Sequence, residues 1–241
     1  MVGTSLSRTI PGAVPTLHSR FPEGEPTEEA TPGRRVVHVV DDDQSVRTAL
    51  SRVLRTAHLD VHTYASAREF LEREAADHDV AACLVLDLNM PGIDGLELQE
   101  ALVRDPSAVP VVFLTGHGDI PASVRAMKAG AVDFLTKPVD RQRLLAAIEV
   151  ALGRDAERRR QRDHMASIEA RFAALTPREQ EVFDLLVTGK LNKQVGVMLG
   201  TTERTVKAHR AQVMRKLDVE SVAELVRVAI ALGRSAAEPT T

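Results

Sequence analysis

The chain has 241 residues, 44% hydrophobic and 27% charged, the ordinary composition of a soluble protein with one large or two modest cores. No apolar run approaches the ~18–20 residues that span a bilayer, and no basic segment followed by an apolar stretch marks the N-terminus as a secretory signal, so a cytoplasmic protein is expected. The net charge of −3 is unevenly divided: residues 34–153 hold 13 Lys/Arg against 18 Asp/Glu, and residues 154–234 hold 16 against 11, which suggests a metal or phosphate function followed by an anion-binding one.

Residues 1–34 are rich in Pro, Thr, Gly and Glu without periodicity and read as a disordered arm. From Arg35 to about Gly153, strands at 36–40, 60–64, 82–86, 109–114 and 133–136 alternate with helices at 45–57, 66–75, 94–103, 120–129 and 140–152, the pattern of a parallel α/β sheet. Val46, Leu50, Val53 and Leu54 give the first helix its apolar face, with Asp43 placed to cap it. Cys83, the single cysteine, excludes an intramolecular disulfide and lies inside an apolar run, as a small core residue would. Pro121 fits the first turn of its helix, and Gly130 is suited to close that helix in a left-handed conformation. Residues 154–174 turn polar and charged, with Ile168, Phe172 and Leu175 at amphipathic spacing; a connecting helix and a dimer-forming coiled segment both fit. A compact helical unit follows over 175–235, with helices at 177–188, 192–199, 203–217 and 221–232, and a short disordered tail at 236–241. Thr176-Pro177-Arg178-Glu179 reads as N-cap, N1 proline and N3 glutamate, and Thr201 or Thr202 can cap the third helix.

Four of the apolar runs end on residues that handle phosphate and divalent cations. Val36–Val40 runs into Asp41-Asp42-Asp43, the run at 83–86 into Asp87, the run at 111–114 into Thr115, and Phe134-Leu135-Thr136 into Lys137. In an open parallel sheet the carboxyl ends of the strands line one crevice, so residues spread over about a hundred positions would meet there. Crowded carboxylates raise one another's pKa unless a cation neutralises them. Magnesium suits one or two carboxylates plus a phosphoryl oxygen, an aspartate can attack phosphorus, and a lysine and a hydroxyl donor would stabilise the transferring group.

Asp41-Asp42, the segment Asp87-Leu88-Asn89-Met90-Pro91-Gly92, Thr115-Gly116 and Lys137-Pro138 together resemble the receiver domain of bacterial two-component response regulators, over roughly 35–153. The resemblance implies a flavodoxin-like, five-stranded parallel sheet. It further implies Asp87 as phosphoacceptor, and Mg2+ held by Asp42, Asp87 and the Asn89 carbonyl, with Asp41 acting through a bound water. Lys137 would pair with the phosphoryl group, Thr115 would hydrogen-bond to it, the Lys137–Pro138 bond would be cis, and Phe134 would be the switch aromatic. Each residue also has an ordinary account: helix caps for the N-terminal aspartates, turn formers for Asp87 and Asn89, a turn cap for Thr115, a solvated charge for Lys137, core for Phe134. His117 reads as a surface loop residue.

In the basic half, Leu175-Thr176-Pro177-Arg178-Glu179, Gly189, Asn192-Lys193, Thr205-Val206-Lys207, His209 and Lys216-Leu217 resemble the LuxR/NarL type of helix-turn-helix domain, a small all-α four-helix unit. With Gly116-His117-Gly118-Asp119 and the sequence through Ala131-Val132-Asp133-Phe134, the pairing resembles the FixJ-like subgroup. Gly196 departs from the alanine common there, a change that costs about 1 kcal/mol mid-helix. Val206, Val213 and Leu217 form the stripe to be buried, which leaves Arg204, Lys207, Arg210, Ala211 and Met214 on other faces of a helix able to enter the major groove. Lys190 and Lys193 stand where phosphate contacts are expected, and Thr202 joins them, Arg204, Lys207 and Arg210 as a candidate DNA-binding residue, against the plain alternative of a solvated basic face. His209 reads as a packed residue.

The resulting expectation is a DNA-binding transcription regulator, not an enzyme, phosphorylated on Asp87 by a sensor histidine kinase with Mg2+ and acting on double-stranded DNA as a homodimer, with no membrane partner. Two alternatives stand beside it. One is a phosphotransferase or phosphatase of the haloacid dehalogenase type, whose Asp-x-Asp spacing Asp41 and Asp43 satisfy. The other is a regulator whose output binds protein or RNA.

Overall fold

The computed structural model describes residues 34–73, 80–103, 109–116 and 120–234. The segments expected to be a disordered arm and tail, and His117, lie outside the described residues, apart from Arg34 at the arm's end. Five parallel strands, β1 (Arg35–Val40), β2 (Asp60–Tyr64), β3 (Ala81–Asp87), β4 (Val111–Thr115) and β5 (Asp133–Thr136), form one sheet in the order β2-β1-β3-β4-β5. The order reverses at β1 and β3, the topological switch point where such sheets open a crevice.

Strand alternation splits the core in two. Val36, Val40, Leu84, Leu86 and Phe113 face one layer, covered by α2 (Ala67–Arg73), α3 (Gly95–Leu102) and α4 (Ile120–Lys128). Val37, Val39, Cys83, Val85, Val112 and Leu114 face the other, covered by α1 (Gln44–Arg55) and α5 (Arg141–Ala173). α5 contributes Leu144, Ile148 and Leu152 to that layer, each worth roughly 1.5–3 kcal/mol of apolar burial. Burial drives the Cys83 thiol far above its ordinary pKa, so it is a core residue and not a reactive one.

The helix starts follow their caps. Asp43 accepts from the Ser45 amide at 2.7 Å to open α1, and Gly130 takes φ +93° just beyond α4, as a left-handed closing residue does. The helices expected at 140–152 and within 154–174 are one: α5 runs unbroken for 33 residues through Gly153. Beyond it, α6 (Pro177–Val187), α7 (Asn192–Met198), α8 (Glu203–Leu217) and α9 (Val222–Ala231) enclose a third core built on Phe172, Phe183, Val195, Val206, Val213 and Leu225. Thr176 and Glu179 form the reciprocal capping box of α6, and Glu179 then takes the Lys216 ammonium at 2.6 Å, which ties α6 to α8.

Candidate functional site

The strand ends meet. Asp41 follows β1, Asp87 ends β3, Thr115 ends β4 and Lys137 follows β5, and backbone bonds hold these ends in register: the Lys137 amide donates to the Thr115 carbonyl at 2.7 Å and the Leu88 amide to the Leu114 carbonyl at 3.0 Å. Carboxylate oxygens of Asp41, Asp42 and Asp87 lie within 4.8 Å of one another. Asp41 is buried at 1% exposure, Asp87 at 6%, and Asp42 is exposed at the mouth. The Lys137 ammonium reaches Asp41 at 2.6 Å and Asp87 at 3.1 Å. Thr115 is fully buried and Asn89 exposed; the Asn89 backbone amide hydrogen-bonds to the Asp87 carboxylate.

Burial, the largest influence, raises the Asp87 carboxyl above its ordinary pKa and the Asp41 charge adds to this, while Lys137 and the Asn89 amide oppose it. For Lys137 burial acts downward, but the bonds and charges of Asp41 and Asp87 outweigh it and hold the ammonium above its usual value. Three carboxylates against one ammonium leave an excess of negative charge, and every donor is oxygen, the set a hard divalent cation such as Mg2+ takes. Asp43 is committed elsewhere, to the cap of α1, which removes the support for an Asp-x-Asp pair with Asp41. Phe134 is half-buried against the sheet core, its ring 6.1 Å from that of Phe113, and the Lys137–Pro138 peptide is cis.

In the basic half, Thr202 caps α8 by accepting from the Thr205 amide. Arg204 and Lys207 are exposed, Arg210 is half-buried, Lys190 is half-buried ahead of α7, and Lys193 is exposed in its first turn. Lys207 pairs with Glu203 at 3.0 Å on the surface. Val206, Val213 and Leu217 are the buried stripe of α8, so the cations expected at DNA are not spent on the core. His209 is half-buried.

The response regulator receiver domain family matches residues 37–149, and the luxR family of bacterial regulatory proteins matches residues 173–229. Nodulation protein W of Bradyrhizobium diazoefficiens is 46% identical over 214 residues, covering 89% of this chain and 92% of that protein. The transcriptional regulatory protein FixJ of Azorhizobium caulinodans is 43% identical over 205 residues, covering 85% and 96%. The solved structure of the response regulator StyR is similar with a TM-score of 0.75 at 48% identity, covering 82% of this chain and 99% of that one. The chain is a two-component response regulator of the FixJ-like subgroup. Its output half is a LuxR-type helix-turn-helix, which makes it a DNA-binding transcriptional response regulator.

Three residues of this response regulator carry roles that sequence reading did not assign. Arg47 donates to the Asp41 carbonyl at 2.6 Å and so fixes the turn that aims Asp41 and Asp42. A Cβ on Gly95 would stand 2.5 Å from the Asp87 carbonyl oxygen and 3.0 Å from the Phe113 ring, so the start of α3 can close on the end of β3 only without a side chain. Gly196 has a similar cause: a Cβ there would lie 2.9 Å from the Thr201 carbonyl oxygen. The glycine expected to loosen α7 instead permits the close approach of the helix-turn-helix turn. Spacing alone gives no signal for either glycine, because the intruding atom belongs to a distant or folded-back segment.

Proposed function

We propose that phosphoryl transfer from a sensor histidine kinase to Asp87 switches the DNA binding of this regulator. One observation carries the reading: Asp41, Asp42 and Asp87 converge at the strand ends with Lys137 between the two buried members. An Asp87 carboxylate oxygen attacks phosphorus as the phosphohistidine N–P bond breaks, and the imidazole of the kinase leaves. Asp42 and Asp87 would hold Mg2+ by side chain, Asn89 by its carbonyl and Asp41 through water, and the ion supplies positive charge against the transferring oxygens. Lys137 turns from Asp87 toward the phosphoryl group, and Thr115 donates to it from the end of β4. Phe134 then repacks on the β5 surface. The protein is the acceptor in this reaction and not a turnover enzyme; a regulator of this kind works in the cytoplasm.

For the output, Arg204, Lys207 and Arg210 reach into the major groove from α8, while Lys190, Lys193 and Thr202 contact phosphates. Two copies, joined as a homodimer after phosphorylation, read a two-fold site, since half-site spacing mirrors protein symmetry. The division is into a receiver at 35–153, a helical linker at 154–174 and an output domain at 175–235. Treatment with acetyl phosphate and Mg2+ tests the core of this reading. The expected result is one phosphoryl adduct on the full chain and none on Asp87→Asn, with unchanged circular dichroism. An adduct retained by the variant rejects Asp87 as acceptor.

A further inference from the structure

Asp155 sits in α5 two residues beyond Gly153, fully buried at 0% exposure, and the phosphoryl chemistry makes no use of it. Its carboxylate accepts three hydrogen bonds: from the Ala82 backbone amide at 3.0 Å, from Arg158 Nη2 at 2.8 Å and from Arg159 Nε at 2.6 Å. Ala82 is the second residue of β3. Two residues on, the Leu84 amide donates to the Pro110 carbonyl at 2.9 Å, on the β4 side, and amides two apart in a strand point the same way. β4 pairs with β3 from Leu84 opposite Val111 onward, so among the described residues no strand carbonyl serves the Ala82 amide. The Asp155 carboxylate is its acceptor instead. A carboxylate buried this deeply needs charge partners, which Arg158 and Arg159 supply from the next turn of the same helix.

Gly153 adds the second half of the device. It is exposed within the helix, and a Cβ there would meet nothing within 4 Å. No packing demands a glycine, yet glycine is the weakest helix former after proline. A soft point thus stands directly before a buried anchor, at the junction where α5 leaves the receiver core.

We propose that Asp155 is a latch that fastens the output-side half of α5 to the base of β3, with Gly153 as the point where the helix gives when the latch opens. While Asp155 holds Ala82, residues 154–173 move with the receiver sheet, and reorientation of the output domain requires this bond to break first. The latch lies at the opposite end of β3 from Asp87, and it stands or falls independently of which residue accepts phosphate.

Hydrogen exchange on the full chain tests the latch. In the wild type the Ala82 amide and the amides of 153–160 exchange with one common rate, because a single opening exposes them. Asp155→Ala speeds exchange across 153–160 at least tenfold and lets trypsin cut at Arg158, Arg159 and Arg160, while the amides of Leu84–Leu86 and Val112–Leu114 keep their protection. Unchanged exchange at 153–160 in that variant, with the sheet intact, overturns the proposal. If the sheet itself loses protection, Gly153→Ala decides: the latch requires exchange at 153–160 to slow by about fivefold, the factor a glycine-to-alanine change is worth mid-helix, and an unaltered rate overturns it.

Discussion

The Lys137 ammonium lies closer to Asp41, at 2.6 Å, than to Asp87, at 3.1 Å. In the unmodified protein its firmer hold is on the buried neighbour, and the looser contact is with the residue proposed to take the phosphoryl group. A phosphoryl group on Asp87 can therefore draw Lys137 across without leaving Asp41 far from positive charge. Lys137→Met removes the only ammonium among the described residues that bridges these carboxylates. The expected outcome is a loss of about 1–3 kcal/mol in metal-free urea unfolding, since a buried charge loses its partner. Millimolar Mg2+ should recover part of that loss, and acetyl phosphate labelling should fall at least tenfold.

Asp87 gives a pH dependence with a definite sign. Its folded-state pKa is raised, chiefly by burial, so the native state resists ionisation more than the unfolded chain does. The penalty is absent below the unfolded value near ~3.9 and fully present above the folded one. In metal-free buffer the stability of the wild type relative to Asp87→Asn should therefore fall as pH rises from about 4 to 7. Urea midpoints across that range check it; a difference that does not vary with pH rules out the burial penalty.

Asp42 and Asp43 are neighbours with different work. Asp42 belongs to the carboxylate cluster and Asp43 to the cap of α1. The chain has no tryptophan and a single tyrosine, Tyr64, which is buried, so calorimetry suits metal binding better than intrinsic fluorescence. Asp42→Asn should weaken Mg2+ binding tenfold or more, about 1.4 kcal/mol. Asp43→Asn should leave affinity within twofold while keeping a competent cap. Equal losses from both would return the Asp-x-Asp reading to contention.

Gly196→Ala reverses the usual expectation for a helix interior. Alanine normally gains about 1 kcal/mol there, but its methyl would stand 2.9 Å from the Thr201 carbonyl oxygen, and overpacking costs about 1–3 kcal/mol. The variant should unfold its output domain at a lower temperature than the wild type. A raised midpoint would show that the turn yields readily.

Much of this regulator could be read along the chain. A strand's periodicity and its terminal residue are local, and in a parallel sheet the terminal residues of alternate elements must share one edge, so Asp41, Asp87, Thr115 and Lys137 were legible as a group before any fold was drawn. The caps at Asp43 and Thr176 were legible for the same reason, since an N-cap acts within three residues. Tertiary structure decided what depends on atoms far apart in sequence. It paired Lys137 with Asp41 as well as Asp87, a choice set by distances of tenths of an ångström among three like charges. It carried α5 through Gly153, because burial of Ala151, Leu152 and Asp155 outweighs the weak local propensity of one glycine. It also turned Gly196 from an apparent weakness into a requirement and placed the same demand on Gly95, since only the folded chain brings a foreign carbonyl against a Cβ that spacing cannot foresee.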